Sequence, residues 1–253
     1  MKDDKLFTAY IKSAEHHFSG WDFSYITDTG RMQSELLPWS YGSMAATLVQ
    51  NCDAFLDMGT GGGEFLSKLR PFPEVAWATE AYPPNVPIAA KRLEPLGVKV
   101  AQVEDDTTLP FDDNQFDVII NRHESYSPKE VRRIIKDGSI FLTQQVGGTD
   151  CIQINEALGV PANDEFAHWN LHFAAEELLQ NGFKITYSNE SYPAQRFYDI
   201  GALIYYLKAI PWQLEDFSVE KSLEKLYEIH TQIQSNGYFD VRQDRFVIKA
   251  EAI

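Results

Sequence analysis

The stretch 54–66, Ala-Phe-Leu-Asp-Met-Gly-Thr-Gly-Gly-Gly-Glu-Phe-Leu, constrains the fold of this chain more than any other. Residues 54–56 form a short apolar run, the pattern of a strand buried on both faces of a parallel sheet. Gly59, Gly61, Gly62 and Gly63 follow at once. Glycine in such a turn admits positive φ and lets a ligand touch main chain with no Cβ between them. A strand, a glycine turn and a crossover predict an open α/β sheet whose ligand lies at the carboxyl end of that strand. The dinucleotide fingerprint G-x-G-x-x-G is excluded, because its third glycine would fall on Glu64.

What stands instead is an acidic residue followed by x-G-x-G-x-G, from Asp57 to Gly63. Two further blocks come after it in order. Residues 75–79 read as a second strand, and it ends in Glu80 at the distance of one βαβ unit. A carboxylate there can accept from both ribose hydroxyls of a nucleoside; the alternative for a lone Glu at a strand end is a helix cap or a solvated charge. Residues 98–103 alternate as a third strand. They lead into Glu104-Asp105-Asp106, then Leu109-Pro110-Phe111, a polar turn, and the apolar strand 116–120. Three adjacent carboxylates otherwise suggest a metal site or a solvated loop, and no partner at metal-ligand spacing accompanies them.

This ordered set resembles the class I S-adenosylmethionine-dependent methyltransferases, with a type 11-like methyltransferase domain. The resemblance covers roughly residues 51–141 and extends loosely to the C-terminus. It implies a three-layer Rossmann-like α/β sandwich with a seven-stranded, mostly parallel sheet of order 3-2-1-4-5-7-6, the last strand antiparallel. It also implies S-adenosylmethionine as cofactor, held by Asp57, Gly59, Thr60, Gly61, Gly63, Glu80, Ala81, Asp105, Asp106 and Asn121. Asp105 aligns with the family's acceptor for the adenine amino group; Glu104 and Asp106 take that role if the register moves by one. The helix 127–135 runs through Lys136-Asp137-Gly138-Ser139 into a fifth strand, 139–145, where the family usually reads Lys-Pro-Gly-Gly.

The fourth strand ends in Asn121-Arg122-His123-Glu124-Ser125-Tyr126, beside the topological switch point. Methyl transfer is an in-line displacement at carbon with a good leaving group, so alignment and desolvation of the nucleophile carry most of the catalysis. A nitrogen or oxygen nucleophile also has a proton to lose. His123 is the candidate general base by type and position, with Glu124 and Tyr126 behind it. The alternative for His123 is a turn cap, or a contact to the cofactor through its backbone. Gln144, Gln145, Gly147 and Gly148 also reach the ligand end of the sheet.

The whole chain, 1–253, is read as one methyltransferase domain: an N-terminal cap segment 1–50, a cofactor-binding core 51–148, a helical lid insertion 149–173 after the fifth strand, and a C-terminal part 174–253. The cap is rich in aromatics, with Trp21, Phe23, Tyr25, Trp39 and Tyr41, which serve either to cover the cleft or to pack the sheet edge; Asp22 and Arg31 read as solvated charges. His168, Trp169 and His172 in and beside the lid read as packing rather than metal ligands. A helix 64–69 is expected after the glycine turn, stopped by Pro71 and Pro73. A long helix capped by Ser218 is expected to bury Val219, Leu223, Leu226, Ile229 and Ile233.

A net charge of −15 disfavours a nucleic-acid partner, whose affinity rests on phosphate neutralisation. Cys52 and Cys151 have no metal-ligand spacing and read as reduced thiols. No apolar leader and no run of membrane-spanning length is seen, which points to a cytoplasmic protein, monomer or homodimer, that does not engage a membrane. The expected function is methyl transfer to a small-molecule acceptor. Methylation of RNA or protein, and S-adenosylmethionine binding without catalysis, remain as alternatives.

Overall fold

Phe55 and Leu56 are adjacent in the chain and belong to different cores. The reason is the period of a strand, which sends successive side chains to opposite faces of its sheet. In the computed structural model, which describes residues 4–19 and 22–253, the strands in chain order are β1 (Met32–Ser34), β2 (Ala54–Met58), β3 (Val75–Glu80), β4 (Lys99–Gln102), β5 (Phe116–Arg122), β6 (Ile135–Val146), β7 (Phe183–Ser191), β8 (Ala194–Phe197), β9 (Phe239–Arg242) and β10 (Arg245–Ala252). The helices are α1 (Lys5–Ser13), α2 (Ser24–Thr27), α3 (Tyr41–Val49), α4 (Val86–Leu93), α5 (Pro128–Ile134), α6 (Ile152–Leu158), α7 (Leu171–Gln180), α8 (Ile200–Ala209) and α9 (Leu223–Asn236). Gly20 and Trp21, part of the expected cap, lie outside the described residues.

The chain forms two compact units, each assembled from segments distant in sequence. The larger comprises Pro38–Gly147, Trp169–Glu190 and Arg245–Ile253. Its sheet has seven strands in the order β4-β3-β2-β5-β6-β10-β7. Pairing is parallel from β4 through β6, and β10 runs antiparallel to β6. Counted within this sheet, the order is the expected 3-2-1-4-5-7-6. Alternation along its strands builds a helix layer on each face. Leu56, Ile119, Phe141 and Phe246 pack with α5 and α7, whereas Phe55, Val118, Ile120 and Val247 pack with α3 and α4. The chain reverses its direction of travel across the sheet at β2, with β3 on one side and β5 on the other. Such a reversal opens a crevice at the carboxyl ends of those strands.

The other unit holds the described residues up to Leu37 together with Gly148–His168 and Ser191–Asp244. It contains a small antiparallel sheet, β1-β8-β9. Around α8, buried along almost its whole length, gather Phe7, Ile26, Phe197, Leu226, Ile229 and Ile233. Arg31, read from the sequence as a solvated charge, is tied into this unit. Its Nε and Nη2 each donate to Asp199 at 2.7 Å, and Asp199 Oδ1 also accepts from Ala202 N at 2.8 Å to cap α8.

Three local expectations change. Instead of a helix over 64–69, the glycine turn leads only to a single 3-10 turn, Leu66–Lys68. So short a segment, closed by Pro71, does not offset the cost of helix nucleation. Ser218 does cap, accepting from Lys221 N at 3.2 Å, but it closes a separate turn, and α9 starts at Leu223. The fifth strand of the large sheet begins directly after α5, at Ile135, with a register shift between its pairs to Phe116 and Val118.

Candidate functional site

The glycine turn sits at the carboxyl end of β2. Its main chain is braced by the neighbouring strand: Thr60 N donates to Thr79 O at 2.9 Å, and Gly59 N reaches Thr79 Oγ1 at 3.4 Å. Gly59 has φ +67°, and a Cβ there would stand 2.4 Å from Glu124 Cγ. Both facts demand glycine, and the second means that Glu124 lies directly against the turn. Gly63, at φ +79°, lets Leu93 of α4 close on the other end of the turn.

Carboxylates converge on this end of the sheet. Asp57, the penultimate residue of β2, is 4% exposed; burial pushes its pKa up to about 7, with Thr60 and Arg122 pulling the other way and Glu80 adding to the rise. Glu80 closes β3, equally buried, and Tyr82 N donates to its Oε1 at 2.8 Å. Burial raises its pKa too, opposed by the main chain of Tyr82, Gly61 and Ala81 and by the Asn85 side chain. Of the run 104–106, Asp105 is exposed and bound within its own turn, accepting from Thr107 N at 2.8 Å and Thr107 Oγ1 at 2.6 Å. Asp106 instead faces the 121–126 loop, where Ser125 Oγ donates to its Oδ2.

The 121–126 loop is held from beneath. Asn121 is fully buried; its Oδ1 accepts from Gln145 Nε2 at 2.7 Å and Thr143 Oγ1 at 3.0 Å, and its carbonyl accepts from Tyr41 OH at 3.0 Å. His123 adopts φ +61°, and its N–H donates to Gln144 O at 2.8 Å. Its Nε2 lies 2.9 Å from Gln144 Nε2. Trp39 Nε1, which only donates, reaches Gln144 Oε1 at 2.8 Å. That contact orients the amide so that Gln144 Nε2 donates to His123 Nε2, which leaves the imidazole proton on Nδ1. His123 is exposed, with protein packed around its ring nitrogens. Those surroundings, with Arg245 and Arg122 nearby, hold its pKa well below the usual histidine value. The neutral ring thus has its lone pair already engaged.

Glu124 is different. Burial first, then the negative charges of Asp106 and Glu80, push its pKa up to about 7. Tyr126 turns away from the glycine turn into an aromatic wall, with ring centroids 5.0 Å from Phe141 and 6.0 Å from Trp169. Its buried hydroxyl has no hydrogen-bond partner among the described residues, and burial raises its pKa.

The structure thus brings Asp57, Gly59, Glu80, Asp106, Asn121 and Glu124 to one edge and leaves Asp105 on the outer side of its loop. Sequence reasoning missed Arg122, whose guanidinium lies 4.3 Å from the Phe65 ring centroid, and the Trp39–Gln144–His123 relay. Gln144 was visible as a polar residue at a strand end; no local signal ties it to Trp39. Among the described residues, no group of three His, Cys, Asp or Glu is arranged to hold a metal ion, and no helix is long and apolar enough to cross a membrane.

Residues 56–143 match the family model described as a methyltransferase domain. A search of curated proteins returns no match. Among solved structures, a candidate methyltransferase of Bacillus halodurans C-125 is 18% identical with TM-score 0.59, over 83% of this chain and 96% of that one. The YcgJ protein of Bacillus subtilis is 16% identical with TM-score 0.56, over 83% and 97%. The cyclase SpnF is 15% identical with TM-score 0.54, over 98% and 92%. These identities show a shared fold, and a fold shared with a cyclase does not by itself name a reaction. The family match spans residues 56–143, and the strand order is that of the Rossmann-like methyltransferase fold.

Proposed function

We propose that this protein transfers a methyl group from S-adenosylmethionine to a small-molecule acceptor, with Glu124 taking the acceptor's proton. The observation that carries the reading is Glu124 itself, set against bare main chain at Gly59 and titrating near neutrality. A base is most effective when its pKa lies near the working pH. The residues present suit the cofactor: a glycine turn open to close approach, and Glu80 with one oxygen held by Tyr82 N.

S-adenosylmethionine supplies, when bound, a methyl group on a sulfonium that departs as a neutral thioether. The chain's own residues do the rest. Glu80 accepts from the ribose hydroxyls, Asp106 or Asp105 serves the adenine amino group, and the 59–63 turn lines the amino-acid end. Asn121, locked by Thr143 and Gln145, fixes the loop that presents Glu124. As the acceptor atom bonds to carbon it loses its proton to the Glu124 carboxylate, which returns it to water after product leaves. His123 was the expected base; with Nε2 occupied by Gln144, it is better read as the support that sets the Glu124 backbone.

The acidic balance of the chain favours a small acceptor over RNA. Calorimetry with S-adenosylmethionine and S-adenosylhomocysteine tests the donor, and failure to bind either one at high concentration overturns the proposal. Incubation with metabolite pools, read as mass gain of one methyl group, tests the acceptor class.

A further inference from the structure

Arg122 stands out in a cleft otherwise furnished with carboxylates. Its place follows from register: Met58 of β2 pairs with Asn121 of β5, so Gly59 and Arg122 are the next residues on adjoining strand ends. It lies close enough to Asp57 to draw that carboxyl's pKa down against burial. Yet among the described residues it forms no hydrogen bond or ion pair with any carboxylate, while Arg92, Arg132 and Arg133 in the same unit are all paired. Its guanidinium rests instead on the face of Phe65, the second residue after the glycine run. Stacking of this kind fixes the plane of the guanidinium and leaves its N–H edge free to grip a carboxylate with two parallel bonds.

The alternatives for holding an anion here are few. The turn's N–H groups are largely engaged: Gly59 and Thr60 donate to Thr79, and Gly63 donates to Thr60 O. Asp57, Glu80, Asp106 and Glu124 all repel negative charge. A carboxylate lying along this turn has Arg122 as its matching partner.

Resting on the methyl-donor reading above, we infer that Arg122 binds the carboxylate of the donor's amino-acid end and so positions the sulfonium over the turn. Its free fork, stacked on Phe65 beside Gly59, is the feature that recognises this group. A carboxylate borne by the acceptor has the same chemistry, and the experiment separates the two sources.

The full chain and its Arg122→Ala variant are titrated with three ligands. These are S-adenosylhomocysteine, S-adenosyl-3-thiopropylamine, which lacks only the carboxylate, and 5′-methylthioadenosine, which lacks the whole amino-acid end. Loss of a charge-assisted pair corresponds to about ten- to hundredfold in affinity. The wild-type chain should bind S-adenosylhomocysteine tighter than the thiopropylamine by that factor, and Arg122→Ala should erase the difference. Arg122→Lys should restore part of it. Affinity for 5′-methylthioadenosine should stay within about twofold, which also reports that the variant is folded. Equal losses for all three ligands, or no loss for any, overturn the assignment. So does an Arg122→Ala effect confined to the KM of the acceptor. A wild-type chain that binds none of the three removes the methyl-donor reading itself, whereas one that binds all three equally removes only the role of Arg122.

Discussion

Carboxylates are used in opposite ways in the two units. In the smaller one, Asp199 receives a two-point fork from Arg31 and caps α8, and Asp240 receives another from Arg196, at 2.6 and 2.8 Å. At the carboxyl edge of the large sheet, Asp57 and Glu124 are crowded together with Glu80 and Asp106, and both are pushed to about 7. The first arrangement holds structure together. The second is a misfit in the free protein, and buried titratable groups held off their ordinary pKa mark sites that wait for a ligand. A donor carrying positive charge would relieve that repulsion.

The sharpest way to break this contrast is Glu124→Gln. Turnover should fall by about a hundredfold to ten-thousandfold, with S-adenosylhomocysteine affinity changed only slightly. Wild-type kcat should rise with pH through about 7, as Glu124 ionises, and the variant's profile should be flat there. An unchanged rate would return the base role to another group.

Next in size is Asp199→Ala. It removes a cap and leaves the half-buried Arg31 without its carboxylate, so unfolding free energy should drop by about 2–4 kcal/mol in denaturant titration. Asp57→Asn should act with the opposite sign. The folded carboxyl titrates near 7, above its unfolded value, so the stability it contributes is fully present below about pH 4 and is lost as pH rises through 7. At pH 8 the neutral amide should therefore stabilise the protein by about 1–3 kcal/mol. If both variants destabilise at pH 8, the division between structural and ligand-awaiting carboxylates fails.

The smallest expected effect sharpens the reading of His123. Trp39→Phe removes the indole donor that orients Gln144, at a cost of about 1 kcal/mol in stability. In the wild-type chain, nitrogen NMR of His123 should report a proton on Nδ1, and in the variant the two tautomers should mix.

Much of the large unit was legible because its signals are local. The run from Asp57 to Gly63, Glu80 at the end of the next strand and the block 104–120 each state their element through period, glycine content or a terminal charge. The choice between Asp105 and Asp106 was not legible. Both are acidic and adjacent, and only the loop's bend turns Asp106 toward Ser125 while Asp105 accepts from Thr107. The strands β1, β8 and β9 were missed for a related reason. Each is three or four residues long, and each exists through pairing with a distant segment, as Met32 with Phe197 and Ala194 with Arg242.

By itself, then, the sequence determined the sheet of the large unit and the place of its glycine turn, since hydrophobic period and backbone freedom are properties of contiguous residues. Tertiary structure alone decided which charges meet. The unpaired fork of Arg122, the engaged ring of His123 and the near-neutral Glu124 arise from neighbours brought together across the sheet, and burial and Coulomb interaction depend on distance in space rather than along the chain.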